Sequence, residues 1–517
     1  MLSWNEKLYT YGFLLTDDAE ADIACIGLDR NLWNVRNIGE MSLFTHPTVT
    51  VYVYEGESRT FLLLGHAYNP FTMESREEDI LARLDSMYGS NNYLDYFDQL
   101  TGMFFYAVIE GKTITALSDC AGEYGAYYAA IGKYIYYSSY AQMIADLCGL
   151  NEDPYVTKLK KGRFFHMYGR YLPGDLSPYA EVHRVLPNTQ AVYKNSAFLV
   201  ERIYPRTPYA EMTGEQYDAQ VKKIGQILYN TLSLIAKKWD RPAISLTGGT
   251  DSQTTLACTG DLQNAFRYFS YISLPREETD ANAAAAICKA LGLQHEIFRI
   301  NTDPAVYPNF EAVDKMIERH GSYIGKGNRN DVCKRLGLND QVNFDVEVKS
   351  WVSEVARASR NKMYSKKQMP KKMTPRRLTT MYKIFILNRG DALRTDKQFR
   401  KYMEESGLRK AIEQTGYTWS EFFVWEIVFG GWGSLALTGE HRLTNDITIP
   451  YNNRALLDMM LRTPLEKRRT DELHWDVVRE MKPELAALNV HILNGNETKA
   501  REIFERVYFD VHSHLPL

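Results

Sequence analysis

The segment from residue 242 to residue 300 constrains the fold more than any other part of the chain. Short apolar runs occupy Pro242 to Leu246, Phe266 to Ser273 and His295 to Ile300. A glycine turn and a helical stretch separate the first two runs, and the alanine-rich stretch Asp280 to Leu291 separates the last two. Strands that alternate with helices favour a parallel sheet with right-handed crossovers. We therefore predict an α/β domain here.

The first 200 residues follow a different pattern. Short apolar or alternating runs recur, among them Met103 to Ile109 and Thr113 to Leu117, and glycine-containing turns separate them. This pattern is typical of a meander in stacked antiparallel sheets. The prolines in Arg202 to Thr213 indicate a linker, and helical spacing dominates the last 200 residues. At 517 residues the chain is too long for one core, so we predict two domains, residues 1–205 and 206–517.

Composition narrows the class of protein. The 61 basic and 64 acidic residues give a net charge of −3, so we expect no nucleic-acid partner. The six cysteines are scattered without a CxxC pair, which argues against zinc and against a disulfide framework. The chain opens with no charged-then-apolar leader, and no apolar run reaches about 18 residues. We therefore expect a cytoplasmic protein without a membrane partner.

The segment that carries chemistry is Thr247-Gly248-Gly249-Thr250-Asp251-Ser252, between a predicted strand and a predicted helix. The glycines allow a tight turn and a close approach of backbone N–H groups to a ligand. The start of the helix favours a phosphate, and Thr247 and Ser252 add hydroxyl donors. Asp251 would repel a bare phosphate, so it predicts a bridging Mg²⁺. The alternative is a plain turn in which Asp251 or Ser252 caps the helix.

This segment resembles the SGGxDS pyrophosphate loop of ATP pyrophosphatases, with threonine at the first position. The following strand and helix, Phe266 to Glu296, are similar to those of the asparagine synthetases. Leu100 to Ala107 and Ser118 to Tyr128 resemble two strand segments of the amidotransferase domain of the same family. The resemblance implies an α/β fold: an N-terminal Ntn-type αββα sandwich, then a parallel-sheet domain of the adenine-nucleotide α-hydrolase type with a helical extension.

The resemblance also implies a site for ATP and Mg²⁺. It places nucleotide contacts at Leu246, Thr247, Gly248, Gly249, Asp251, Ser252 and Ile272. Asp251 would be a catalytic metal ligand. A second family segment matches Val348 to Arg357, where the family's glycines are absent and Ser353 replaces its metal-binding aspartate. Glu354 survives and would be the second catalytic metal carboxylate.

This second segment has other interpretations. Glu354 and Arg357 fit an i, i+3 ion pair on a surface helix, and Lys349 and Arg357 fit a role in holding pyrophosphate or a substrate acid. The resemblance does not place the family's late catalytic lysine, and Lys499 is one candidate for it.

Two further segments leave alternatives open. Glu426, Arg442 and Asn445 are either acceptor-site residues or core residues, and we favour core. The run from Arg357 to Arg377 holds nine basic residues, which favours a solvated loop or a lid over a binding patch.

The N-terminus departs from the family pattern. The family's glutaminase needs a cysteine directly after the initiator methionine, and Leu2 stands there. We therefore predict no glutaminase activity, as in the related β-lactam synthetases and lasso-peptide cyclases. Nitrogen would come from ammonia or from a substrate amine.

The sequence thus predicts an ATP-dependent carbon–nitrogen ligase that adenylates a small-molecule or peptide carboxylate and transfers it to an amine. Three alternatives stay open: an ammonia-dependent asparagine synthetase, a non-catalytic nucleotide-binding scaffold, and a PP-loop RNA-modifying enzyme, which leaves the N-terminal sandwich unexplained. A homodimer is one option for the assembly, and the sequence does not decide it.

Overall fold

The computed structural model describes residues 2–162, 165, 170–325, 328–363, 370–382, 389–490, 503, 507, 508 and 511. In these residues the chain forms three β-sheets, two in the N-terminal part and one in the C-terminal part.

The N-terminal part is built on two antiparallel six-stranded sheets, with strand orders β10-β8-β9-β1-β3-β2 and β12-β11-β7-β6-β5-β4. The strands are β1 Phe13–Thr16, β2 Asn34–Ile38, β3 Met41–Thr45, β4 Val51–Glu55, β5 Thr60–Tyr68, β6 Thr101–Glu110, β7 Thr113–Ser118, β8 Tyr127–Ile131, β9 Tyr134–Ser138, β10 His183–Arg184, β11 Thr189–Lys194 and β12 Ala197–Arg202. The helices of this part are α1 Glu77–Met87, α2 Asn92–Phe97, α3 Ala141–Cys148 and α4 Pro154–Lys160.

Strand β6 shows why these elements stack in four layers. Phe105 packs with Phe13 and Tyr137 of the other sheet, whereas Tyr106 packs among side chains of α1 and α2 such as Leu84. Both faces of the strand are therefore buried, so its sequence is almost continuously apolar instead of alternating. On the other sheet, α3 packs against β8 and β9. The predicted αββα sandwich is confirmed.

The C-terminal part holds a five-stranded sheet in the order β15-β14-β13-β16-β17, and every pair is parallel. Its strands are β13 Pro242–Ser245, β14 Arg267–Ile272, β15 His295–Arg299, β16 Val346–Val348 and β17 Asp446–Thr448. Helices associated with the first four strands are α5 Glu215–Lys238, α6 Thr250–Ala257, α7 Glu277–Ala290, α8 Phe310–His320 and α9 Arg329–Gln341. The predicted parallel sheet is confirmed.

The helical extension is also confirmed. Its helices are α10 Ser359–Lys362, α11 Pro375–Tyr382, α12 Arg389–Glu405, α13 Leu408–Thr415, α14 Trp419–Phe422, α15 Ser434–Gly439, α16 Arg454–Leu461, α17 Leu465–Arg469, α18 Glu472–Met481 and α19 Pro483–Ala487. A π-helical segment, Phe423–Gly433, joins α14 to α15. Strands β16 and β17 have three residues each and were not predicted within this mostly helical part. They complete the far side of the sheet, so β13 is central.

The two parts are in direct contact. The side-chain amide of Asn452 donates to the Gly102 carbonyl at 2.7 Å and to Asp119 at 2.9 Å, while its oxygen accepts the Ala121 N–H at 2.8 Å. Strand β12 ends before the predicted boundary at residue 205 and α5 begins after it. That the halves are separate domains stays a prediction.

One helical stretch in the described residues, Trp419–Leu443, is long and apolar enough to cross a membrane. Because 78% of its most apolar window is buried inside the protein, it has the character of a core helix. Trp425 shows this most clearly, since it is fully buried and its indole N–H donates to the Cys120 carbonyl at 2.9 Å.

Candidate active site

The predicted glycine loop lies at the carboxyl end of the central strand. Strand β13 ends at Ser245, and helix α6 begins at Thr250. The Leu246 N–H donates to the Phe269 carbonyl of β14 at 2.8 Å. Ligands of open parallel sheets bind outside the carboxyl ends of the strands, so the loop is in the place where such a sheet forms a site.

Two hydroxyl side chains hold the loop closed. Ser252 Oγ accepts the Thr247 N–H at 3.1 Å, and the carbonyl oxygens of Thr247 and Gly249, at 3.1 and 3.2 Å, are the acceptors within reach of its single proton. Thr247 Oγ1 accepts the Gly249 N–H at 3.0 Å. The sequence predicted these hydroxyls as phosphate donors, whereas in this structure they brace the turn.

The start of α6 supplies donors for an anion. Its first residue follows Gly249, and no side chain in the described part of the protein caps the helix. The first N–H groups of a helix have no partner within the helix, and the positive end of the helix dipole coincides with them. The alternative in which Asp251 or Ser252 caps this helix is wrong, because neither side chain accepts from its first turn.

A cavity of about 330 Å³ opens beside the loop. Six of the predicted site residues line it: Leu246, Thr247, Gly249, Asp251, Ser252 and Glu354. Gly248 and Ile272 lie outside its wall. The Gly248 carbonyl accepts the Gln253 side-chain amide at 2.8 Å, and Ile272 is buried at the end of β14, where its carbonyl accepts the Ile300 N–H at 2.9 Å.

Asp251 is held by two side chains from a distant segment of the chain. Its Oδ1 accepts the Ser353 hydroxyl at 2.5 Å, and its Oδ2 accepts from Arg357 at 2.5 Å. Arg357 also donates to Asp471 at 2.8 and 2.9 Å. The predicted ion pair of Glu354 with Arg357 on a surface helix is wrong: residues Ser353–Arg357 form a largely buried 3₁₀ turn, and Arg357 extends to the two aspartates.

The backbone around this turn is strained. Val352 has φ 71° and Ala358 has φ 50°, in the left-handed region that non-glycine residues rarely adopt, least of all β-branched ones. The family's glycines are absent from this segment, yet the left-handed geometry is present. Strain of this kind persists where the surrounding structure fixes it, often at functional sites.

Glu354 is the free carboxylate of the cavity. It makes no hydrogen bond within the described part of the chain. Although the Glu354 side chain is exposed, neighbouring protein atoms raise its pKa by desolvation, and the negative charge of Asp251 raises it further. Two carboxylates that repel each other across one cavity suit a cation between them.

The residues fit one Mg²⁺. The described residues contain no group of three or more His, Cys, Asp or Glu that would enclose a metal. Mg²⁺ in nucleotide sites, however, is usually held by one or two carboxylates together with phosphates and water. Glu354 would be the main ligand, and Asp251 would contribute the lone pairs that Ser353 and Arg357 leave free.

The cavity contains one lysine among its described lining residues, Lys349 at the end of β16. Its ammonium donates to Glu347 at 2.6 Å and lies 5.5 Å from the centre of the Trp351 ring. Both members of the Lys349–Glu347 pair are only 5% exposed. Sequence analysis gave Lys349 as a minor alternative and missed Glu347, because β16 is too short to show a strand pattern.

Glu426 and Arg442, left open as acceptor or core residues, belong to the core. Glu426 is fully buried and accepts from Arg202 at 2.7 Å and from the Tyr402 hydroxyl at 2.6 Å. Arg442 is 2% exposed and donates to Asp446 at 2.9 Å. Asn445 donates to the Asp446 carbonyl at 2.7 Å. Lys499 lies outside the described residues, as does part of the basic run from 357 to 377.

No protein-family model and no curated protein matches the sequence. Similar solved structures include a glutamine-dependent NAD⁺ synthetase from Acinetobacter baumannii in complex with ADP, at 13% identity and a TM-score of 0.18, covering 31% of this chain and 28% of that one. Glutamine phosphoribosylpyrophosphate amidotransferase from B. subtilis, complexed with ADP and GMP, has 10% identity and a TM-score of 0.22, with coverages of 62% and 63%. A structure of the allosteric regulatory enzyme of purine biosynthesis has 9% identity and a TM-score of 0.24, with coverages of 57% and 61%. This chain thus spans less than two thirds of the length of each of these proteins.

Proposed function

We propose that the protein is an ATP-dependent ligase that adenylates a substrate carboxylate and joins it to an amine. One observation supports this most: an uncapped helix start, a glycine turn and the carboxylates Asp251 and Glu354 converge on one cavity at the carboxyl end of the central strand. This combination suits a magnesium–triphosphate ligand.

The proposed reaction has two steps. In the first, a carboxylate oxygen attacks the α-phosphorus of ATP, the bond between the α-phosphorus and the bridging oxygen breaks, and pyrophosphate leaves with the electron pair. In the second, the amine nitrogen attacks the acyl carbon, the bond from that carbon to the AMP oxygen breaks, and AMP leaves. The nitrogen loses its surplus proton to a base or to water.

Residues of this chain take part mainly through charge and position. The N–H groups at the start of α6 donate to the phosphates, and Lys349 places a positive charge in the same cavity. Bound Mg²⁺ would neutralise the charge that develops on pyrophosphate. Arg357 holds the Asp251 carboxylate in place and adds a second positive charge beside it.

The proposed amine is ammonia or a second substrate. Leu2 stands where the resembled family carries its glutaminase cysteine, so the proposal includes no glutamine hydrolysis. Synthesis of asparagine from aspartate and ammonia is the simplest case to test. The cytoplasmic location stays a prediction.

Two measurements test the proposal. ATP binding is measured by calorimetry with Mg²⁺, and pyrophosphate release is then measured with ATP and a series of carboxylic acids that includes aspartate, with ammonia present. Asp251→Asn should lower pyrophosphate release by about 100-fold, because it removes the charge that positions metal and phosphate. Asp261→Asn is the control, since Asp261 is exposed and accepts from the Tyr229 hydroxyl at 2.8 Å, outside the cavity.

The outcomes separate the alternatives. ATP binding without pyrophosphate release in any acid or in a cell extract favours the scaffold. Asparagine formation identifies the ammonia-dependent synthetase. No ATP binding at all refutes the proposal.

A further inference from the structure

A second cavity adjoins the first. It has a volume of about 350 Å³, and Tyr271, Trp351 and His441 line both cavities. Its other lining residues include Arg335 of α9 and Glu440. The two cavities are therefore neighbours across one wall of side chains, and the second is large enough for a metabolite.

Arg335 is the unusual residue of this second cavity. It is only 3% exposed, its Nε is buried without a hydrogen-bond partner, and it forms no ion pair within the described ranges. Its neighbour Lys334 is also buried but forms ion pairs: its ammonium donates to Glu277 at 2.9 Å and lies 3.8 Å from Asp331. A buried charge without a partner is costly, so a guanidinium that lines a cavity in this state suits an anionic ligand. Carboxylates and phosphates both match its planar donors, and the carboxylates on the other side of this cavity favour a ligand that also carries a positive charge.

The same cavity also offers negative charge. Burial raises the pKa of Glu440 to about 7, nearby Asp331 raises it as well, and Arg335 lowers it. Glu440 and Asp331 both line the cavity. Three basic residues, Arg170, Lys334 and Arg335, line the cavity together with these two carboxylates. Basic and acidic groups around one space are complementary to a molecule that carries a carboxylate and an ammonium group together.

We propose that the second cavity binds the amine substrate and that this substrate is an α-amino acid. Its carboxylate binds the guanidinium of Arg335, and its ammonium group lies toward Glu440 and Asp331. The name "amine substrate" rests on the proposed function, whereas the binding site itself does not. The amine would then stand next to the cavity in which the acyl-adenylate forms, and free ammonia would not be the nitrogen donor.

Tryptophan fluorescence provides a binding assay that needs no ATP. Trp351 and Trp432 both line the second cavity and stack with ring centres 5.2 Å apart. We expect at least one of the twenty common amino acids to change the emission of the full-length protein with a Kd below about 1 mM. Trp432→Phe should reduce this change, and the amide of the same amino acid should bind about tenfold more weakly because it lacks the carboxylate.

Arg335→Gln tests the contact directly. It should weaken binding of that amino acid at least about tenfold, the loss expected for a hydrogen bond between charged groups. Arg329→Gln is the matched control from the same helix: Arg329 is exposed and lies over the Phe310 ring at 5.2 Å, away from the cavity, so binding should not change. The melting temperature of Arg335→Gln should not fall, which shows that the variant is folded.

Three results would overturn the proposal: no amino acid binds, Arg335→Gln binds as the unchanged protein does, or the amino acid with ATP alone releases pyrophosphate. The last result would make it the acyl donor. If the amino acid binds through Arg335 but no acid ever gives pyrophosphate release, the ligase proposal fails while the binding site stands.

Discussion

Asp471 connects the candidate site to the helical extension, and its substitution gives a quantitative test of the structure. Its carboxylate accepts from Arg357 at 2.8 and 2.9 Å and from Lys362 at 2.7 Å. The Asp471 backbone has φ 59°, a conformation that asparagine tolerates better than most residues. Asp471→Asn therefore removes the charge with little added strain.

The contribution of Asp471 to the free energy of unfolding follows from its pKa. Burial acts to raise this pKa, but hydrogen bonds and charge from Arg357 and Lys362 outweigh it and lower the pKa from 3.8 to about 2. This difference corresponds to about 2 kcal/mol of stability. Because the folded pKa is the lower one, the stabilisation is complete well above pH 4 and is lost as the pH falls toward 2. At pH 3, about 1 kcal/mol remains.

Urea unfolding at pH 7 and pH 3 measures the effect. Asp471→Asn should lower the free energy of unfolding by about 2 kcal/mol at pH 7 and by about 1 kcal/mol at pH 3. Asp95→Asn is the control, because the Asp95 side chain is 66% exposed beside Arg206, and its loss should cost less than about 0.5 kcal/mol. An equal loss at both pH values, or no loss at pH 7, would refute the assigned network.

Three shorter predictions concern other residues. Glu347→Gln should destabilise the protein by about 3 kcal/mol in urea unfolding, because it leaves Lys349 charged, buried and unpaired; a loss under about 1 kcal/mol contradicts this. Arg335→Met should leave the free energy of unfolding unchanged or raise it by about 1 kcal/mol, since it removes a buried charge that forms no ion pair in the described residues; clear destabilisation in the same assay would show a structural role. Glutamine should not be hydrolysed to glutamate, because Leu2 replaces the nucleophile; glutamate release measured enzymatically would disprove this.

The local sequence was sufficient to predict the position of the loop between β13 and α6. The strand that ends at Ser245, the paired glycines and the helix that starts at Thr250 occur where the pattern predicts them, because all three depend on neighbouring residues. The roles of individual side chains were less predictable. The hydroxyls of Thr247 and Ser252 bond to the loop itself, and this arrangement depends on the three-dimensional path of the turn.

The second segment shows the limit of pattern analysis. Strand β16 has three residues, too few for a periodic signal, and it exists because β13 and β17 pair with it on either side. Because the strand was not predicted, the buried ion pair of Lys349 and Glu347 was not predicted either. The predicted Glu354–Arg357 pair failed for a related reason: sequence spacing favours contacts within one helix, whereas Arg357 meets partners from α6 and from the residue before α18.

The sequence by itself determined the two sheet systems and the glycine loop between β13 and α6, since each depends on short runs of residues. Only the tertiary structure decided which charges meet. Asp251 contacts residues about 100 positions further along the chain, and Arg335 is without a described partner although charged residues flank it in sequence. Burial makes the electrostatic interaction between such charges much stronger. Burial is a property of the packed chain, and no local sequence pattern encodes it.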